Sequence, residues 1–179
     1  MVVRDEELML AAAKGDLGAF DELVLRHQRF VWGIAFRFLG GPTEAEDIAQ
    51  KAFLKLLEAA PRYRPTAGFR TYLYRIVSRL CIDYARKKRP ISTDGLPERT
   101  DCSPNPADAL VIKERDTEIR LALGALPARQ RMAVILKYYE GLTYGEIARA
   151  MGTTVKAVER LLGRARTLLQ STLSHINKI

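Results

Sequence analysis

The sequence predicts an all-α protein made of two small helical domains joined by a flexible linker, with a helix-turn-helix in the C-terminal one. Three observations carry this. Apolar residues recur at steps of three and four along every long segment, and no comparable stretch alternates as a half-buried strand would. One segment, Ile91 to Ala107, interrupts the helical pattern with Gly95, Pro97, Pro104, Pro106 and several Ser, Thr, Asn and Asp residues. The charge changes sign with these divisions: residues 1–60 hold 7 basic and 10 acidic residues (net −3), and 61–90 hold 9 basic against Asp83 alone (net +8). Residues 91–118 hold 3 basic and 7 acidic (net −4), 119–179 hold 10 and 3 (net +7), and the chain of 179 residues totals +8. The predicted domains are therefore 1–90 and 113–179, with 91–112 as the linker.

The first apolar stripe runs Phe20, Leu23, Val24, Phe30, Val31, Ile34, Ala35, Phe38, with His27 on the same face as a satisfied core histidine. Gly40, Gly41 and Pro42 end this helix. Thr43 with Glu46 three positions on reads as a capping box opening the next helix, whose apolar face is Ala45, Ile48, Ala49, Ala52, Phe53, Leu56 and Leu57. After Pro61 and Pro65, a helix from about Phe69 is expected to bury Leu73, Ile76, Val77, Leu80 and Tyr84. Beyond the linker, Pro127 starts a helix over about Ala128 to Glu140, with Gly141 at its C-cap. Thr143 and Glu146 form a second capping box for a short helix that Gly152 breaks. A long helix from about Thr154 then buries Val155, Val158, Leu161, Leu162, Ala165, Leu168 and Leu169.

Composition narrows the function. Hydrophobic residues make up 47% of the chain, enough for a packed core, and no run approaches the roughly 20 apolar residues of a spanning helix. With the acidic start Arg4, Asp5, Glu6, Glu7, this predicts a soluble, cytoplasmic protein with no membrane insertion. Cys81 and Cys102 stand far apart, one as a packed thiol and one as a loop thiol, and His27 and His175 are the only histidines. No metal site, cofactor or catalytic constellation can be assembled, so the protein is not expected to be an enzyme. A strongly basic chain instead implies an acidic partner, nucleic acid first and an anionic membrane surface second, and total charge does not choose between them.

Two basic surfaces of different character follow. Arg62, Tyr63, Arg64, Phe69 and Arg70 lead into a helix whose face carries Tyr72, Arg75, Arg79 and Arg86. Guanidinium forks hold phosphates and aromatic faces stack unpaired bases, so interleaving them favours single-stranded nucleic acid. In the second domain, a short helix, a Gly turn and a long helix bearing Lys156, Arg160 and Arg164 at steps of four make a helix-turn-helix suited to the major groove of duplex DNA. Thr153 and Thr154 stand where backbone N–H groups and hydroxyls can hold a phosphate, and Glu159 and Gly163 lie beside the basic stripe. An ordinary helical hairpin satisfies the same spacing.

Two stretches resemble one family. Ala45-Glu46-Asp47-Ile48-Ala49-Gln50-Lys51-Ala52-Phe53-Leu54, with Phe69-Arg70-Thr71-Tyr72-Leu73-Tyr74-Arg75-Ile76 and Ile82-Asp83-Tyr84, is similar to region 2 of bacterial extracytoplasmic-function sigma factors. Leu126-Pro127, Glu140-Gly141-Leu142-Thr143-Tyr144, Glu146-Ile147-Ala148, Met151-Gly152 and Arg164-Ala165-Arg166 resemble that family's region 4. The resemblance implies a subunit without a catalytic site that binds core RNA polymerase, through the clamp helices of the largest subunit and the flap of the second-largest. It also implies promoter DNA as partner, single-stranded at the minus-10 element and duplex at the minus-35 element, and allows an anti-sigma factor. By position, Glu46, Asp47, Gln50 and Phe53 would meet the polymerase. Arg62, Tyr63, Arg64, Phe69, Tyr72, Arg75, Arg79 and Arg86 would hold the minus-10 strand, and Thr153, Thr154, Lys156, Glu159, Arg160, Gly163 and Arg164 would face the minus-35 duplex. Two positions depart from the family: Arg79 stands where many members have Asn, and Ala157-Val158-Glu159-Arg160-Leu161 replaces a common Thr-Val-Lys-Ser-Arg, so promoter sequence does not carry over. The alternative expectation is a stand-alone helix-turn-helix regulator with a dimerising or sensing N-terminal bundle.

Overall fold

The structure, a computed structural model, describes residues 3–65, 68–88 and 110–176. The helices are α1 (Asp5–Ala12), α2 (Leu17–Leu39), α3 (Pro42–Ala59), α4 (Phe69–Lys88), α5 (Leu110–Ala125), α6 (Ala128–Tyr138), α7 (Tyr144–Met151) and α8 (Val155–Ile176). A 3-10 turn at Ala60–Arg62 follows α3, and there is no strand among the described residues. Cys102 and most of the expected linker lie outside the described residues, and α5 already begins within its last positions.

The acidic N-terminus, which shows no apolar periodicity of its own, forms α1. Asp5 pairs with Arg26 at 3.0 Å and with His27 Nε2 at 2.8 Å. Glu6 accepts a hydrogen bond from the Phe69 backbone N–H at 2.9 Å, fixing the start of α4 against α1. His27 is thus the satisfied core histidine expected, buried between Asp5 and the Phe69 ring, 5.1 Å away. Asp16 caps α2 by accepting from Ala19 N–H at 3.0 Å, and Gly40 ends it in the left-handed region at φ +82°.

The expected Thr43 cap is corrected. α3 begins two residues earlier, with Gly41 as N-cap and Pro42 at the first helical position, where a missing N–H has no partner to lose. In α4 the buried stripe is Leu73, Tyr74, Val77, Ser78 and Cys81, whereas Ile76, Leu80 and Tyr84 are only half-buried. The shift has a tertiary cause: α4 packs on α3 on one side and on α6 and α7 of the second domain on another.

The two domains dock through one continuous core that runs from Leu23, Phe38 and Leu73 to Met132, Ile135, Ile147 and Val158. Polar contacts frame it. Tyr74 donates its hydroxyl to Glu140 at 3.2 Å, and Arg37 pairs with the same carboxylate at 3.6 Å while lying over the Tyr139 ring. Arg131 donates to the carbonyls of Phe38 (2.7 Å), Gly124 (2.6 Å) and Leu126 (3.2 Å), tying the C-terminal end of α2 to that of α5. Burial pulls its guanidinium below its ordinary pKa.

In the second domain, α6 stops at Tyr138 and Gly141 adopts φ +68°, which lets Leu142 N–H reach the Leu136 carbonyl at 3.1 Å. The Thr143 capping box forms as expected, with Glu146 accepting from Thr143 N–H at 2.8 Å and Thr143 Oγ1 accepting from Glu146 N–H at 3.3 Å. The Thr143 hydroxyl, which also donates to the Glu146 carboxylate at 2.6 Å, and then the Thr143 N–H hold that carboxyl below the usual range. Gly152 takes φ +59° at the turn, Thr154 Oγ1 accepts from Ala157 N–H at 3.2 Å, and α8 buries Val158, Leu162 and Ala165. Val155 and Leu168, expected in the core, are instead 44% and 42% exposed. No helix among the described residues is long and apolar enough to cross a membrane.

Candidate nucleic-acid and partner interfaces

Three surfaces carry the side chains singled out in the sequence. On α3, Glu46, Asp47 and Gln50 are exposed, while Phe53 is buried with only its edge accessible. Glu46, Gln50 and Phe53, at steps of four and three, share one wall of a groove of about 550 Å³ between α2 and α3; Asp47 points away from it. The opposite wall holds Gln28, Arg29, Trp32 and Arg37, none of which the sequence reading picked out. Trp32 stacks on Phe36 at 4.8 Å, which backs that wall with a second aromatic ring. The signal was present: Trp32 and Phe36 sit four apart on α2 but off the stripe that fills the core.

The second surface is the outer face of α4 with the segment before it. Arg62, Arg64, Arg75, Arg79 and Arg86 are exposed and Tyr72 is half-buried. Asp83 lies 3.8 Å from Arg79 and 3.5 Å from Arg86, but both guanidiniums are nearly fully solvated. Such pairs are worth about 0–1 kcal/mol, so a phosphate readily displaces them. Tyr63 and Phe69 are placed differently from a base-stacking role. Both are buried; Tyr63 packs edge-on to Tyr72 at 5.4 Å and Phe69 sits in the core beside His27. They support the face from behind. Arg70, exposed on the first turn, lies over the Phe30 ring at 5.2 Å. Cys81, on the inner side of α4, has its thiol pushed up to about 12 by burial and stays protonated.

The third surface belongs to α8. Lys156, Glu159, Arg160, Gly163 and Arg164 are all exposed along its first turns, and Thr153 and Thr154 stand at its N-terminal end. Arg160 and Arg164 line a shallow cleft with Arg129 of α6, which adds a cation the sequence reading missed because it lies outside the helix-turn-helix. Glu159 makes no ion pair among the described residues, so its carboxylate remains free to accept from a cytosine amino group. α7, the Gly152 turn and α8 together have the helix-turn-helix form in which the second helix presents its N-terminal turns to a groove.

Two family models match successive parts of the chain. Residues 23–91 match the family model for Sigma-70 region 2, and residues 116–169 that for Sigma-70 region 4. The chain is 32% identical to RNA polymerase sigma-H factor of Pseudomonas aeruginosa, over 95% of this chain and 94% of that protein. It is equally 32% identical to the ECF RNA polymerase sigma factor SigW of Bacillus subtilis, over 89% and 91% of the two chains. Among solved structures, CnrH in complex with the cytosolic domain of CnrY superposes with a TM-score of 0.72 at 27% identity, covering 96% of this chain and 97% of that one. The sigma factor RpoE from Bartonella quintana, solved with the anti-sigma factor NepR, shares the fold with a TM-score of 0.67 at 22% identity, over 87% and 96%. Two matched regions in family order, relatives aligned almost end to end, and a helix-turn-helix behind a basic helical domain lead to one conclusion: the chain belongs to the extracytoplasmic-function sigma factors, which bind core RNA polymerase and direct promoter-specific initiation.

Proposed function

We propose that this sigma factor divides its work among the three surfaces described. The α2–α3 groove, with Glu46 and Gln50 opposite Trp32 and Asp47 on its flank, receives the clamp helices of the polymerase's largest subunit. Glu46 in the groove and Asp47 beside it pair with arginines of a coiled-coil partner, while Trp32 supplies the apolar anchor. The second domain meets the flap of the second-largest subunit. The α4 face, with Arg62, Arg64, Tyr72, Arg75, Arg79 and Arg86, holds the unpaired minus-10 strand, Tyr63 and Phe69 acting as its scaffold. Thr153, Thr154, Lys156, Glu159, Arg160, Gly163 and Arg164 face the minus-35 duplex. An anti-sigma factor, of the kind bound to the Bartonella relative, is the proposed regulator. The protein acts without a catalytic site or cofactor of its own, in the cytoplasm where polymerase works.

The observation that carries this reading is the separation of surface chemistry: a groove of mixed charge on α2–α3, with Glu46 facing Arg29 and Trp32, and arginine-rich exposed faces on α4 and α8. In vitro transcription with purified core polymerase on genomic promoter fragments tests it. Start sites that appear only when this chain is added support the reading, and a failure to direct any specific initiation overturns it.

Three variants resolve the surfaces. Asp47→Arg should weaken capture of core polymerase in a pull-down while leaving helix content unchanged by circular dichroism, because Asp47 is exposed and touches no core residue. Arg160→Ala should cost about 1–3 kcal/mol of minus-35 binding if its contact is bidentate to a base, with the loss confined to promoters carrying that base. A uniform loss on all duplexes, with a shallower salt dependence, assigns Arg160 to a phosphate. Gly163→Ala should move two measurements in opposite directions. A Cβ at this exposed helical position meets nothing within 4 Å, so the substitution should stabilise the fold by about 1 kcal/mol in denaturant titration. The same methyl should weaken duplex binding by holding α8 away from the groove.

A further inference from the structure

Between the docked domains lies a cleft of about 330 Å³ with walls from both. The first domain contributes Arg64, Thr71 and Arg75, and the second contributes Arg149, Gly152 and Thr153, with Tyr72 and Ala148 completing the lining. No lining residue is acidic. None of the three guanidiniums makes an ion pair among the described residues. Glu146, one turn before Arg149, spends its carboxylate on Thr143. The rest of the junction is matched, Arg37 against Glu140 and Arg131 against three carbonyls. Three like charges brought together across an interface repel one another, and the nearby Glu146, its carboxylate bonded to Thr143, offsets only Arg149 and does so through space without an ion pair.

The donors have one character. Guanidiniums only donate, threonine hydroxyls can donate, and the turn from Gly152 to Thr154 leads into the positive end of the 22-residue helix α8. Forked guanidiniums on opposite walls suit an anion that presents an oxygen-rich face to each side. A single phosphate offers one compact centre, whereas a pyrophosphate group carries two linked ones and a charge near −3, matching three arginines. We propose that this cleft binds a small multiply charged phosphate of the pyrophosphate class, and that the bound anion ties the two domains together. The site is distinct from the strand-binding use of Arg64 and Arg75, because it exists only while the α7–α8 turn stands opposite α4.

Isothermal titration of the full chain with inorganic pyrophosphate, at constant ionic strength, tests the site independently of transcription, so its failure and that of the promoter reading are separable. Saturable binding near one to one is expected, at least tenfold tighter than for orthophosphate. Arg75→Ala and Arg149→Ala, from opposite walls, should each weaken it tenfold or more, with partial recovery in Arg149→Lys and no change in the distant exposed Lys55→Ala. Circular dichroism confirms that each variant is folded. A nucleoside diphosphate binding tighter than pyrophosphate, with the same dependence on both arginines, supports the site and identifies a nucleotide as its source. Absence of saturable binding at millimolar pyrophosphate overturns the proposal. So does Arg149→Ala binding within twofold of the parent, which would confine the anion to the α4 face.

Discussion

Replacing Phe69 with Ala is expected to lower the stability of the protein by about 3–5 kcal/mol, the range for removing a buried aromatic side chain and leaving a cavity. Phe69 is 1% exposed, lies 5.1 Å from the His27 ring, and opens α4 with its N–H bound to Glu6. Loss of the ring therefore loosens α1, α2 and α4 together. Urea denaturation of the purified chain measures the effect. A base-stacking Phe69 would behave differently, with unfolding unchanged and only promoter opening impaired. Tyr72→Ala provides the contrast, since Tyr72 is half-buried and faces outward on the same helix; its larger defect should appear in opening of the minus-10 element.

Arg131→Ala should cost about 3 kcal/mol, because it leaves three carbonyls at helix ends without their charged donor and removes the cation from over the Phe38 ring. In a chain of this size that corresponds to a fall in Tm of roughly 6–12 °C. Arg131→Met separates charge from packing. Methionine restores most of the stem volume but none of the hydrogen bonds, so it should recover only part of the loss. Equal stability of the parent and the alanine variant by calorimetry would show that the three carbonyls find other partners and that the guanidinium is dispensable.

The all-α class, the capping box at Thr143, the Gly152 turn and the exposed stripe on α8 were legible in the sequence because each depends on residues within one or two turns of each other. The same locality explains what was not legible. Thr43 with Glu46 satisfies the capping pattern, yet Pro42 fits the first helical position and takes the helix start away from it. Ser78 is buried with no partner for its hydroxyl among the described residues, and a hydropathy stripe has no reason to include it. It is buried because α4 packs against a domain that begins more than twenty residues later, a contact no local period encodes. The arginines around Tyr63 and Phe69 suggest a strand-binding face for both rings, but composition does not say which way a ring points, and both are buried. Trp32 escapes a stripe reading for the opposite reason: it and its partner Phe36 are only partly buried at the margin of the core, off the row that fills it.

The docked junction also sets how the protein must share its energy with DNA. Elements named minus-35 and minus-10 are about 25 base pairs apart, or about 85 Å along B-form duplex, whereas a compact chain of this length has a radius of gyration of about 16 Å. The conformation with α4 against α7 cannot touch both elements, so simultaneous contact through the two proposed DNA faces requires the domains to part. Observed affinity is then the intrinsic affinity multiplied by the open fraction, and each 1.4 kcal/mol of docking reduces it tenfold. Side chains remote from any base, among them Tyr74, Arg37 and Glu140, thereby become determinants of promoter occupancy.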